Sequence, residues 1–260
     1  RQEWGFRGHV VSDCWALRDF HEFHHVTKDM AESAALALKR GCDLNCGCEY
    51  LDLPQAYERG LVSMADVDAS LARLLECRIK LGQLDETPAS LAADATSCVP
   101  GNDAHHALAR RAAAAGIVLL KNTGVLPLAR EAIDLYVVGP YAASTEVLLG
   151  NYHGVSKRMS TVLEGLAGAV GTSGSVYYKP AFLNDRVRPN PIDWITGEAR
   201  AADVVVAVVG LDPQLENEEG DAIASTTMGD RAAIELPEAQ RAFVAKLAAD
   251  CGKPVVLVVV

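Results

Sequence analysis

Apolar positions along the chain follow two periods, and the change from one to the other outlines its elements. Residues 9–12 form a short apolar run, His9-Val10-Val11-Ser12, that ends at Asp13. In residues 27–39, Met30, Ala31, Ala34, Leu36 and Leu38 among many alanines predict a helix, and Gly41 closes it. Residues 42–47 are short enough for a strand and its exit turn. Ser63-Met64-Ala65-Asp66 reads as a capping box, and behind it Val67, Leu71, Leu74, Leu75 and Ile79 recur at helical spacing up to Gly82. Strand, helix, strand, helix over residues 9–82 predicts consecutive βα units. Periodicity then lapses in residues 85–104, where Pro88, Pro100, Gly101 and Asn102 mark a linker. An alanine-rich helix over 104–115, a strand over 117–120, and apolar runs at 133–138, 176–178, 204–209 and 255–260 follow. These runs alternate with helical stretches near 161–170, 193–201 and 237–249, which predicts a doubly wound α/β layer.

Composition narrows the function classes. With 260 residues, half of them hydrophobic, the chain is long enough for a buried core and for two folding units. A net charge of −10 with no Lys/Arg-rich block argues against nucleic acid or an anionic membrane surface as partner, and a neutral ligand fits better. No apolar stretch reaches bilayer-spanning length. The strand after 204–209 is followed by Gly210 without the Gly-x-Gly-x-x-Gly fingerprint of a dinucleotide site. The seven cysteines lack repeated paired spacing, so no disulfide framework is expected. Cys42, Cys46 and Cys48 lack the spacing of a tetrahedral zinc site, and no metal is expected there either. The chain opens on Arg1 and ends within an apolar run that reads as a buried strand, so the expectation is an internal piece of a longer protein, silent about targeting.

Asp13 is the first candidate for chemistry. It sits where a buried strand would meet solvent, and in barrels of parallel strands the reacting groups lie at the carboxyl ends of strands. That makes it a candidate nucleophile, although spacing alone leaves open that it caps a following turn or helix. Trp15 reads either as a sugar-stacking platform or as a core anchor. His153 either reaches a substrate or is an exposed turn histidine. His21, His24 and His25 read as surface or packing residues. Glu216, Glu218 and Glu219 form an acidic run whose plain reading is a solvated loop.

Several landmarks taken together resemble glycoside hydrolase family 3, and within it the β-xylosidase branch. They are Trp4-Gly5-Phe6-Arg7-Gly8-His9-Val10-Val11-Ser12-Asp13-Cys14, Ala37-Leu38-Lys39-Arg40-Gly41-Cys42-Asp43-Leu44-Asn45-Cys46-Gly47, Ala115-Gly116-Ile117-Val118-Leu119-Leu120-Lys121-Asn122, Leu149-Gly150-Asn151-Tyr152-His153-Gly154, Gly210-Leu211-Asp212-Pro213-Gln214-Leu215-Glu216-Asn217-Glu218-Glu219, and Gly229-Asp230-Arg231. They lie in the family's order across nearly the whole chain. The resemblance implies an α/β fold: the C-terminal part of a (β/α)8-like barrel in residues 1–84, a linker in 85–104, and an α/β sandwich domain in 105–260. It implies Asp13 as catalytic nucleophile and the acidic loop as source of the acid/base, with Glu216 the first choice, Glu218 the second and Glu219 the third. The implied parent protein is a retaining, exo-acting β-glycosidase that removes β-D-xylose from xylo-oligosaccharides. A β-glucosidase or α-L-arabinofuranosidase of the same family is the alternative, and a non-catalytic carbohydrate-binding relative, which would lack the nucleophile, is the alternative of another class. No cofactor is required. Trp15 departs from the small residue usual at that place in the xylosidase branch. Residues 1–84 hold only about two of the eight units that close a barrel, so this piece alone is expected to be inactive.

Overall fold

A computed structural model describes residues 1, 3–84, 99–129, 132–150, 152–186 and 193–260. Most of the expected linker, together with Cys98 and Asn151, lies outside them. The fold is α/β, as expected, and the chain divides into two compact units, Arg1–Val99 and Pro100–Val260.

In the first unit the element order is α1 (Asp19–Glu22), α2 (Met30–Lys39), a 3₁₀ turn (Glu49–Asp52), α3 (Leu53–Glu58) and α4 (Met64–Lys80). Helix α2 begins three residues later than the periodicity predicts, because the Asp29 carboxylate accepts the Glu32 amide and so caps it there. Its small side chains let it pack closely. Ala31, Ala35 and Leu38 are buried against Ala56 and Val62 in a core that also draws in Leu53 and Val67. The Ser63–Asp66 capping box is present in both directions at the start of α4. Proline in the first turn of α3 is compatible with helix, since the amide it lacks would have no intrahelical acceptor. The two strands expected around residues 9–12 and 42–47 contract to one parallel bridge, Val11 to Leu44. Its backbone bonds are Leu44 N–H to Val10 O at 3.1 Å and Ser12 N–H to Leu44 O at 2.9 Å.

The second unit holds α5 (Asp103–Gly116), β1 (Asp134–Val138), α6 (Val162–Ala169), β2 (Ser175–Lys179), α7 (Trp194–Ala199), β3 (Val204–Val209), α8 (Glu238–Asp250) and β4 (Val255–Val259). The four strands pair in parallel in the order β2-β1-β3-β4. All six residues of β3 are buried, as a central parallel strand covered on both faces requires. On one face Leu135, Val137, Val206 and Val208 pack with Leu163 and Leu166 of α6. On the other, Tyr136, Val205 and Ala207 pack with Ala199 of α7 and Leu247 of α8. Helices on both faces are the doubly wound pattern predicted. One expectation fails: residues 117–120 form no strand. Their four side chains stand exposed, because β propensity makes a strand only where a neighbouring backbone completes the ladder, and none of the described strands pairs with them.

Candidate active site

Asp13 follows the Val11–Leu44 bridge, the one bridge among the described residues of the first unit, and side chains supply there what a longer ladder would. The Ser12 hydroxyl accepts the Cys46 amide at 2.9 Å and donates to Asn45 Oδ1 at 3.2 Å, while Asn45 Nδ2 donates to Glu49 Oε2 at 2.8 Å. Glu49 is itself buried. One residue past Asp13, Cys14 is disulfide-bonded to Cys46. The expectation of no disulfide is thus corrected; among the described residues Cys42, Cys48, Cys77 and Cys251 are free. Sequence spacing hid the bridge because its partners, 32 residues apart, are brought together by the parallel pairing of Val11 with Leu44. Asp13 itself is exposed, and its Oδ1 accepts the Cys14 amide at 2.8 Å, which fixes the carboxylate without burying it.

Beneath this strand end lies Asp43, whose side chain is fully buried. It accepts the Val10 amide at 2.9 Å, the Ser70 hydroxyl at 2.9 Å and two Arg73 nitrogens at 2.9 and 2.6 Å, and it also pairs with Arg1. Burial by itself would raise the proton affinity of Asp43. The Arg73 guanidinium, the Val10 amide and the Ser70 hydroxyl outweigh it and hold the carboxyl below its ordinary range. Asp43 thus ties the backbone three residues before Asp13 to helix α4.

Trp15 is half exposed and adopts a left-handed backbone, φ +64°. Its amide donates to Cys46 O at 2.6 Å, and the disulfide fastens the residue before it. A non-glycine residue held at positive φ is costly and recurs at ligand sites. Among the described residues the indole joins none of the buried clusters.

In the second unit the acidic loop leaves the carboxyl end of β3. Gly210 has φ +151°, and a Cβ there would lie 2.1 Å from Val260 O, so only glycine fits this exit. Gln240, fully buried, accepts the Gly210 amide at 2.9 Å and donates to the Gly210 carbonyl at 2.9 Å. The loop then turns on Asp212, whose Oδ1 accepts the Gln214 and Leu215 amides at 3.0 and 3.2 Å. Its Oδ2 accepts the Tyr141 hydroxyl at 3.0 Å and Asn184 Nδ2 at 2.9 Å. Burial, aided by the Asp212 charge, pushes the Tyr141 phenol well up. Beyond this anchor Glu216, Asn217, Glu218, Glu219 and Asp230 line a hollow of about 370 Å³. Glu216 is exposed, with its amide bonded to Asp212 O at 3.1 Å. Glu218 Oε1 accepts the Tyr152 hydroxyl at 3.1 Å. His153, exposed, has Nδ1 3.0 Å from the carbonyl oxygen of its own neighbour Gly154, as a turn histidine would.

Two family models match the chain. The model described as glycosyl hydrolase family 3 N terminal domain matches residues 1–77, and that described as glycosyl hydrolase family 3 C-terminal domain matches residues 117–260. The chain belongs to glycosyl hydrolase family 3. Among curated relatives, a probable beta-D-xylosidase 7 from Arabidopsis thaliana is 35% identical over 270 residues, covering 100% of this chain and 33% of its own length. Among solved structures, a family 3 exo-beta-xylosidase in complex with a xylobiose aziridine activity-based probe matches with TM-score 0.77 and 27% identity, covering 98% of this chain and 32% of that one. A β-glucosidase from Erythrobacter marinus matches with TM-score 0.81 and 30% identity, covering 100% and 37%. The chain thus spans about one third of the length of the relatives it matches.

In this family 3 chain the predicted carboxylates follow parallel pairings: Asp13 comes just after the isolated Val11–Leu44 bridge, and the acidic loop leaves the carboxyl end of β3. Sequence reasoning missed the groups that hold those ends, namely Asp43, the Cys14–Cys46 bridge, Tyr141 and Gln240. The available signals were slight. Asp43 and Cys46 stand beside Leu44, and Gly139 and Gly210 end their strands at positions where a side chain would collide with neighbouring backbone.

Proposed function

We propose that the whole protein is a retaining, exo-acting β-glycosidase that releases β-D-xylose from the ends of xylo-oligosaccharides. In this reading residues 1–84 belong to a (β/α)8-like barrel domain, 85–104 to a linker and 105–260 to an α/β sandwich domain. Asp13 is the nucleophile and Glu216 the acid/base, with Glu218 the second choice. The observation that carries the reading is Asp13 itself, an exposed carboxylate fixed by the Cys14 amide just past the parallel Val11–Leu44 bridge. Likeness to xylosidases across the whole chain supports the choice of sugar.

The chemistry follows from what two such carboxyl groups can do. A retaining glycosidase needs an ionised carboxylate to attack the anomeric carbon and a protonated one to donate to the leaving oxygen, about 5 to 5.5 Å apart. In the first step an Asp13 oxygen bonds to the anomeric carbon as the glycosidic bond breaks, and Glu216 gives its proton to the departing alcohol. In the second, water attacks the same carbon, gives a proton to Glu216 and releases Asp13 as carboxylate. Covalent catalysis of this kind replaces one difficult displacement with two easier ones. Trp15, exposed two residues from the nucleophile, offers an apolar face to a pyranose ring. His153, bonded within its own turn, is the weaker substrate contact.

A β-glucosidase is the second reading, favoured by the likeness to the Erythrobacter marinus enzyme and by Trp15, which departs from the small residue usual in the xylosidase branch. Full-length protein assayed with aryl β-xyloside, aryl β-glucoside and aryl α-L-arabinofuranoside separates the readings. The account expects the highest kcat/KM on the xyloside. Preference for the glucoside or the arabinofuranoside would replace the sugar while keeping the mechanism, and binding without hydrolysis of any of them would replace the enzyme with a carbohydrate-binding protein.

A further inference from the structure

Cys46 meets the chain on both sides of Asp13. Before the carboxylate, the Ser12 hydroxyl accepts the Cys46 amide at 2.9 Å; after it, the Trp15 amide donates to the Cys46 carbonyl at 2.6 Å. Between them the disulfide joins Cys14 to Cys46. The segment that makes these ties is itself held, because neighbouring Asn45 donates to the buried Glu49 carboxylate at 2.8 Å. Asp13 depends on this clamp more than a residue on a long strand would. The parallel pairing consists of Val11 with Leu44 alone, and among the described residues the Cys14 amide is the one donor to the Asp13 carboxylate. Trp15, just beyond, sits at φ +64°, a conformation that a non-glycine residue keeps only while its surroundings enforce it. Of the three ties the disulfide alone is covalent, and it holds the residue whose amide orients the carboxylate.

We propose that the Cys14–Cys46 disulfide is a positioning group for the nucleophile: bridged, it holds the Cys14 amide against the Asp13 carboxylate, and reduced, it releases residues 13–15 and slows attack on the anomeric carbon. The inference rests on the reading of Asp13 as nucleophile. Attack needs a near-attack geometry, and a displacement of about 1 Å costs on the order of a hundredfold in rate. The bridge acts through Asp13, so its reduction should slow formation of the sugar ester while leaving ground-state binding of xylose unchanged.

The test uses the full-length protein, oxidised or treated with dithiothreitol, and the variants C14S/C46S and C48S. Cys14 is exposed, so the dithiol reaches the bridge; it gives two electrons and two protons, leaves two thiols on the protein and closes to its own cyclic disulfide. The rate at which a 2-deoxy-2-fluoro-β-xyloside labels Asp13, and kcat/KM on 2,4-dinitrophenyl β-xyloside, should each fall about ten- to a hundredfold on reduction and return on reoxidation. The inhibition constant of xylose should stay the same. C14S/C46S should show the slow rates with or without dithiothreitol, and C48S, which removes an exposed free thiol two residues from Cys46, should keep the wild-type rate and its response. All forms are compared well below their thermal midpoints. If C14S/C46S does not fold, the wild type read before reduction, after it and after reoxidation decides alone. Equal labelling of Asp13 in bridged and reduced protein would overturn the role of the bridge and spare the nucleophile. A loss of rate matched by an equal loss of xylose affinity would overturn it too, since the bridge would then shape the sugar site rather than aim the carboxylate. So would a further loss on treating C14S/C46S with dithiothreitol as large as that of the wild type, which would assign the effect to another bridge. Label on a residue other than Asp13 would remove the reading, and the inference with it.

Discussion

The two strand ends that carry the candidate carboxylates are built by opposite means. At β3 a six-residue apolar strand with hydrogen-bonded neighbours on both sides sets the exit, and Gln240 completes the pairing of Gly210 once the ladder ends. At Val11 there is a single bridge, and position is set instead by the buried Asp43 carboxylate, the Ser12–Asn45–Glu49 chain and a disulfide. A continuous ladder spreads its stability over many equivalent backbone bonds. A lone bridge concentrates it in a few side chains, so losing one of them should cost more at the first site than at the second.

Asp43 gives the sharpest test. Replacing it with Leu leaves Arg73 and Arg1 facing a buried site without their counter-charge, and should cost about 3 to 5 kcal/mol in chemical denaturation. The wild-type contribution also has a defined pH window. The folded carboxyl titrates below its ordinary value of 3.8, so its stabilisation is complete above that pH and is lost as pH falls through the lower, folded-state value. Urea midpoints measured downward from pH 5 should decline in the wild type and show a shallower decline in the Asp43→Leu variant.

Backbone crowding in the sheet comes next. At Gly139 φ is +107° and an added Cβ would lie 2.0 Å from Val208 O, so Gly139→Ala should cost about 3 kcal/mol, strain and displacement together. Gly60, also at positive φ but with nothing near its missing Cβ, is the control, and alanine there should cost about 1 to 2 kcal/mol. A smaller loss, about 2 kcal/mol, is expected for Gln240→Leu, which leaves the Gly210 amide and carbonyl without their buried partner. Equal losses for Asp43→Leu and Gln240→Leu would erase the contrast between the two ends. Ser63→Ala should have the smallest effect, about 1 kcal/mol, because the α4 capping box is exposed and only one helix end depends on it.

The same contrast explains what could be read from the sequence. The runs at 133–138, 204–209 and 255–260 announced β1, β3 and β4 within a residue or so; β1 and β3 are apolar because both faces are covered, whereas the expected burial of 255–260 is not seen, since β4 is an edge strand, among those described, of half-buried and exposed residues. Helices α2 and α4 were visible through their period and end signals, Gly41 after α2 and the Ser63–Asp66 box before α4, and α8 as a helical stretch between two apolar runs. The run at 117–120 has the same composition without a partner among the described strands, and no local signal distinguishes the two cases. Around Asp13, a carboxylate at a strand end was legible, and so was the acidic loop. Its supports were not: Asp43 meets Val10, Ser70 and Arg73 across separations of 33, 27 and 30 residues, and Cys14 meets Cys46 across 32. Such contacts depend on the register of Val11 with Leu44, which periodicity does not encode.

The central claim is that a sugar ester forms on Asp13. Incubating the full-length protein with a 2-deoxy-2-fluoro-β-xyloside bearing a good leaving group, followed by proteolysis and peptide mass spectrometry, tests it directly. The account predicts a single fluoroxylosyl adduct on Asp13, absent in Asp13→Ala. An adduct on any other side chain, or steady turnover by the Asp13→Ala variant, would contradict it.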